Sequence, residues 1–170
     1  YYTVMFVVAT AGVPVALSKL ISEASALGRG REVKRIARLA AAVFLSFGLL
    51  CALGLYHAAG WIAQASNNPM ALTAIRAIAP AVFFVSVVAV VRGYFQGLSN
   101  MTPTALSQIV EAAGKVVLGL FFASRAAAAG LDDATTAACA ILGVTVGEAL
   151  AALTMLGYAG ACHRQVKPAL

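Results

Sequence analysis

Charge is what this sequence has least of. Asp, Glu, Lys and Arg together make up 11% of it, where soluble domains carry about 25%. With 62% hydrophobic residues and a mean hydropathy of +0.91, no water-facing surface can be assembled, and the chain reads as a membrane protein. Acidic residues are scarcer than basic ones, 6 against 12. The positive excess is not spread like a nucleic-acid face. Lys19, Arg29, Arg31, Lys34, Arg35 and Arg38 crowd one short connection, and Arg164 and Lys167 sit in the C-terminal tail. No nucleic-acid partner is expected. Membrane lipids are, because basic residues beside spans mark the cytoplasmic side and touch anionic headgroups.

Cysteine and histidine are nearly absent. Cys51, Cys139 and Cys162 show no CxxC spacing and read as small buried hydrophobes. His57 and His163 have no metal-ligand spacing, so neither a metal site nor a cofactor is expected. HExxH, GxxxxGK[ST] and GxSxG are missing, and no Ser/His/Asp set has a spacing to argue from. The chain is therefore expected to be neither an enzyme nor an ATPase. It has no initiator Met and no basic n-region, hence no visible signal peptide. It begins inside a hydrophobic run, from which an upstream part is expected.

What is present is one apolar run after another. A span needs about 20 mostly apolar residues to cross ~30 Å of hydrocarbon. Five segments qualify, at about 1–22, 36–63, 73–96, 104–124 and 134–161. Pro14 interrupts the first; the second is the cleanest, with no charge between Arg38 and Arg76. The breaks are short and polar: "EASALGRGREVKR", "QASNNPM", "GLSNMTP" and "RAAAAGLDDATT". In the last, Gly130 ends one helix and Asp132 or Asp133 caps the next. The pattern predicts an all-α, polytopic membrane helix bundle of five spans in a single domain. The basic connection lies inside, so "QASNNPM" lies outside, "GLSNMTP" inside, "GLDDATT" outside and the tail inside. That leaves Tyr1 outside, which predicts one further helix upstream.

Ionisable residues within spans are expensive and face a bundle interior or a water-filled cavity. Glu111 and Lys115 are four apart in the fourth span, on one face, with the acid N-terminal as the favourable order requires. Gln108 shares that face and Ser107 borders it. Lys115 lies roughly 16 Å in from Thr104, near the midplane. Two readings stand: a neutralised pair locking two helices, or a pair lining a cavity. Glu148 stands alone in "GVTVGEALAAL", with Thr145 on its face, while Gly143 and Gly147 form a small-xxx-small face for close packing. A lone carboxylate at that depth favours its neutral form, either as a proton-coupling group or as a hydrogen-bonded structural Glu.

Arg76 and Arg92 bracket the third span, roughly 24 Å apart along the axis, and Gln96 shares a face with Arg92. They either snorkel to the interface or recognise phosphate, for which the guanidinium fork is well shaped. Pro14 and Pro80 are expected to kink their helices. Trp61, Tyr56, Tyr94 and Tyr158 lie near span ends, as an aromatic belt does.

Three stretches carry a resemblance: "AGVPVALSKLISEASALGRGREVKRIARLA", "AIRAIAPAVFFVSVVAVVRGYFQGLSNMTPTALSQIVE" and "AILGVTVGEALAAL". Together they resemble the polysaccharide-transporter branch of the multidrug/oligosaccharidyl-lipid/polysaccharide flippase superfamily. Within it they look most like the stage V sporulation protein B group, related to the lipid II flippases of Gram-positive bacteria. "RGYFQGLSNMTPTALSQIVE" is the most specific piece. The resemblance implies two pseudo-symmetric helical lobes around a central cavity opened alternately to each side. This chain then forms most of the N-terminal lobe, helices two to six, with the remaining half of the transporter as its partner. The implied substrate is an undecaprenyl-pyrophosphate-linked saccharide, a peptidoglycan or polysaccharide precursor. It would cross the bacterial plasma membrane without ATP hydrolysis, with H+ or Na+ as candidate coupling ion. Arg76 and Arg92 become anion contacts, and Gln96, Gln108, Glu111, Lys115 and Glu148 cavity or coupling residues. Two alternatives are a cation-coupled multidrug exporter of the same superfamily and a non-transporting scaffold of cell-envelope assembly.

Overall fold

The structure, a computed structural model, describes residues 2–67 and 71–165, with side chains described for 14–67 and 71–161. Five helices follow one another: α1 (Tyr2–Ala26), α2 (Gly30–Ala65), α3 (Ala71–Gly97), α4 (Thr102–Ala128) and α5 (Asp133–Gln165). There is no strand among the described residues. Helices α2 to α5 are each long and apolar enough to cross a membrane. The first expected span, 1–22, has α1 as its backbone, and most of its side chains lie outside the described residues. The helices overrun the expected spans by a few residues at most ends, because a helix does not stop where the hydrocarbon does.

The stops are local chemistry. Helices α1 to α4 each end two residues before a left-handed residue: Gly28 (φ 69°), Asn67 (φ 49°), Ser99 (φ 58°) and Gly130 (φ 70°). That conformation turns the chain so that its next amides cap the freed carbonyls. The Arg29 amide donates to Ala24 O at 3.0 Å and the Gly28 amide to Ser25 O at 3.0 Å. The same pair recurs at Asn100 to Phe95 and Ser99 to Gln96, and at Leu131 to Ala126 and Gly130 to Ala127. At the start of α5, Asp132 is the cap and Asp133 the first helical residue. The Thr135 hydroxyl donates to Asp132 Oδ1 at 2.6 Å, which holds that carboxyl below its ordinary range.

Helix α3 is the centre of the bundle, touching α1, α2 and α5 along much of its length and α4 at few points. Between Arg76 and Arg92 its one polar side chain is Ser86, as expected of a helix enclosed by others. Its contacts fix the directions. Gly93 meets Leu17 and Gly97 meets Ile21, so α1 and α3 run parallel. Gly48 faces Ser86 while Tyr56 faces Arg76, so α2 runs antiparallel to α3. Thr145 meets Ala77, Val87 and Val88 cluster with Ala151 and Ala152, and Phe95 meets Tyr158. Helices α3 and α5 are therefore parallel.

Pro80 and Thr145 belong to one device. Proline has no amide hydrogen, so the helical ladder of α3 opens one turn before Pro80. There the Thr145 hydroxyl donates to Ala77 O at 2.6 Å, from a buried position. A neighbouring helix thus supplies a donor beside the break, as membrane interiors demand.

Helices α4 and α5 pack through glycine. A Cβ at Gly147 would lie 2.9 Å from the Lys115 amide nitrogen, one at Gly114 3.1 Å from Gly147 Cα, and Gly143 sits directly on Gly119. The small-xxx-small face at Gly143 and Gly147 is therefore used, with partners that are themselves glycines. A second such face, Gly93 and Gly97, seats α1: a Cβ at Gly97 would fall 2.6 Å from Ile21 Cβ. The bundle's outside is apolar, with Leu39, Val43, Phe47 and Leu50 exposed on α2 and Val116 and Leu120 on α4.

Candidate functional site

Four ionisable residues of α3, α4 and α5 meet in one row, and the α3–α4 turn explains half of it. Arg92 lies five residues before the end of α3, and Ser107 five after the start of α4. Asn100 Oδ1 accepts from the Thr102 amide at 3.2 Å and Pro103 sits in the first turn of α4. The hairpin is thus nearly symmetric about its turn, and Arg92 and Ser107 emerge at the same height. Arg92 Nε donates to Ser107 Oγ at 3.0 Å and its Nη2 to Glu111 Oε2 at 2.7 Å.

One turn further along α4, Lys115 Nζ donates to the other Glu111 oxygen, Oε1, at 2.6 Å. The same ammonium reaches Glu148 Oε1 on α5 at 2.7 Å. The glycine contact is what permits this. Gly147 lets α5 approach the α4 backbone so closely that a Cβ there would lie 2.9 Å from the Lys115 amide nitrogen and 3.2 Å from Glu111 O. The next residue, Glu148, is thereby delivered to Lys115. The result is a ladder of alternating sign across three helices: Arg92, Glu111, Lys115, Glu148.

Two cations and two carboxylates leave the ladder without net charge when all are ionised. In a low-dielectric surrounding such pairing is what makes the charges tolerable. The ladder is not sealed. The Lys115 side chain is 30% accessible and those of Arg92 and Glu111 17% and 20%, against 8% for Glu148. A ligand can therefore reach the two cations before it reaches the inner carboxylate. Thr104, one turn before Ser107, carries a buried hydroxyl with no hydrogen-bond partner among the described residues.

The expected site residues divide. Arg92, Glu111, Lys115 and Glu148 come together. Glu148 does not stand alone, because Lys115 is shared between two carboxylates; the pairing was invisible in sequence since it needs the α4–α5 register. Ser107, fully buried, takes the place on the face that Gln108 was expected to fill, and Gln108 is exposed. Both lie about one turn from Glu111, and only the position of α3 chooses between them. Gln96 is half-buried and its side chain has no hydrogen bond among the described residues. Arg76 sits at the opposite end of α3, exposed, with its guanidinium 5.5 Å from the centre of the Tyr56 ring. It stacks on an aromatic face in a cation–π contact and is not joined to Arg92. Ser107 and Gly93 were legible only as types: a hydroxyl beside the charged face, and a second glycine pair at the spacing of Gly143 and Gly147.

A family profile described as "Polysaccharide biosynthesis protein" matches residues 1–168. The chain belongs to that family. It is 34% identical over 157 residues to Stage V sporulation protein B of Bacillus subtilis (strain 168), covering 92% of this chain and 29% of that protein. It is 31% identical over 125 residues to the Lipid II flippase MurJ of the same organism, covering 68% of this chain and 23% of that protein. It is also 34% identical over 150 residues to the uncharacterized membrane protein YabM of that organism, covering 88% and 27%. The chain thus spans less than a third of the length of each of these relatives. No solved structure matches it significantly. The resemblance to the polysaccharide-transporter branch holds, and the chain is a multi-pass protein of the bacterial plasma membrane. Its family is one of membrane transporters rather than catalysts.

Proposed function

We propose that the full-length protein is a flippase for a saccharide linked to undecaprenyl pyrophosphate, working by alternating access without ATP hydrolysis. This chain forms most of its N-terminal lobe and needs the remaining half of the transporter to enclose a cavity. The observation that carries the reading is the Arg92–Glu111–Lys115–Glu148 ladder, a row of exchangeable charge spanning three helices in a chain of a polysaccharide biosynthesis family. A pyrophosphate approaching from the accessible side meets Arg92 and Lys115, the two cations that recognise such an anion by charge-assisted hydrogen bonds. Glu111 holds both cations in place until an anion replaces it. Arg76, at the far end of α3, offers an anion contact near the opposite membrane surface. Gln96 and Gln108 flank the ladder as further polar contacts, and H+ or Na+ is the candidate coupling ion at Glu111 or Glu148.

The exporter alternative needs a carboxylate available to a cation or a cationic drug. The most accessible member of the ladder is the Lys115 ammonium, which repels a cationic drug and attracts an anion, and this favours the saccharide reading.

The test is reconstitution of the full-length protein in liposomes. Movement of a fluorescent undecaprenyl-pyrophosphate saccharide between leaflets is followed with and without an imposed ion gradient. Protein-dependent transfer without ATP is expected. Arg92→Ala should lower the rate per folded molecule by about tenfold or more, the worth of one charge-assisted hydrogen bond or two. No transfer under any gradient, with dye efflux from cells instead, would assign the protein to the exporters.

A further inference from the structure

The start of α2 is the most strongly charged surface of the molecule, and the transport reading leaves it unused. Helix α2 has 36 residues, hence a length of about 54 Å, against ~30 Å of hydrocarbon. Its last charge before the apolar run is Arg38, and its exposed Trp61 stands near the other end. The residues between them span roughly 33 Å, so these two side chains frame the hydrocarbon. The first two turns of α2, from Gly30 to Ala37, therefore rise through the headgroup layer.

Arg31, Lys34 and Arg35 lie in those turns and Arg38 directly follows them, at the i, i+3, i+4, i+7 spacing that places all four on one face. All four are exposed. None has an acidic partner among the described residues; the acid nearest in sequence, Glu32, is taken by Arg29 at 3.5 Å. Arg38 Nε bends back to the Lys34 carbonyl at 3.4 Å, which keeps it against the helix. The basic face runs directly into the lipid-facing one: Arg35 lies one turn below Leu39, and Leu39 leads to Val43, Phe47 and Leu50, all exposed. A ligand for this surface has an anionic head at the level of Arg31 to Arg38 and an apolar body along Leu39 to Leu50.

We propose that this face of α2 is a binding site for an anionic glycerophospholipid of the cytoplasmic leaflet. An acidic protein or a nucleic acid would match the charges but would leave the apolar continuation unused. A lipid uses both. The site is independent of what the protein transports.

The test takes full-length protein in neutral detergent with equal amounts of phosphatidylglycerol and phosphatidylcholine, and counts retained lipid by native mass spectrometry. The wild type should retain phosphatidylglycerol preferentially. Each basic residue near the surface is worth roughly fivefold, so R31Q/R35Q/R38Q should lower that preference by roughly a hundredfold. R31K/R35K/R38K should keep it, and so should Arg125→Gln at the outer end of α4. Where the Gln variant does not fold, the wild type decides: its preference should fall as salt rises and screening shortens. Equal retention of the two lipids by the wild type, or a preference unchanged by salt or by the triple Gln substitution, would overturn the assignment.

Discussion

At the scale of single residues, Lys115 is the group on which the ladder depends. Among the described residues it alone holds Glu148, and it shares Glu111 with Arg92. Lys115→Met would leave Glu148, the least accessible member, without a counter-charge, and would leave Glu111 with one. Removing one partner of a buried pair is costly; with partial accessibility here the loss should be about 2–3 kcal/mol. Adding Glu148→Gln should restore part of it, a coupling of about 1–2 kcal/mol in a double-mutant cycle. Thermal unfolding of the four proteins in detergent measures this, and strictly additive losses would mean that the Lys115–Glu148 contact contributes nothing. The pairing of Glu111 with Lys115 was legible in sequence because both sit on one helix, where a spacing of four fixes neighbours. Glu148 was legible only as a charge out of place.

At the scale of elements, glycine sets which helices touch. Gly147 and Gly97 have no room for a methyl group: Lys115 backbone lies 2.9 Å from one Cβ position and Ile21 Cβ 2.6 Å from the other. Gly157 and Gly60, on the same scale, meet nothing within 4 Å. Gly147→Ala is therefore expected to push α5 off α4 at a cost of about 1–3 kcal/mol, and to weaken the ladder with it. Gly157→Ala should be neutral or gain up to about 1 kcal/mol from helix propensity. Unfolding midpoints of the two variants should differ in sign, and equal midpoints would contradict the packing. The spacing of Gly143 and Gly147 marked a packing face in the sequence, but which helix would fill it depended on rotation about the α5 axis, and no local pattern encodes that.

At the scale of the whole molecule, the helix directions and the basic α1–α2 connection give an orientation that can be checked directly. With Cys51, Cys139 and Cys162 replaced, single cysteines at Ser25 and Ser99 should react with an impermeant maleimide only after the membrane is opened. Cysteines at Ser66 and Ala129 should react from outside. All four positions are exposed at helix ends, so failure to label would reflect side rather than burial. Reaction of Ser25→Cys from outside would invert the bundle and move the proposed lipid site to the other leaflet.

The sequence by itself determined the solvent, the five apolar runs, their punctuation and the presence of charge at mid-span. Each of these depends on composition or on periods of a few residues, which the chain carries locally. Only the tertiary structure decided that α3 lies at the centre, that Ser107 rather than Gln108 meets Arg92, that Glu148 is paired, and that Arg76 stands apart. Those outcomes depend on the register and rotation of one helix against another, set by where glycines let backbones approach. That information is shared between distant segments and held by none of them alone.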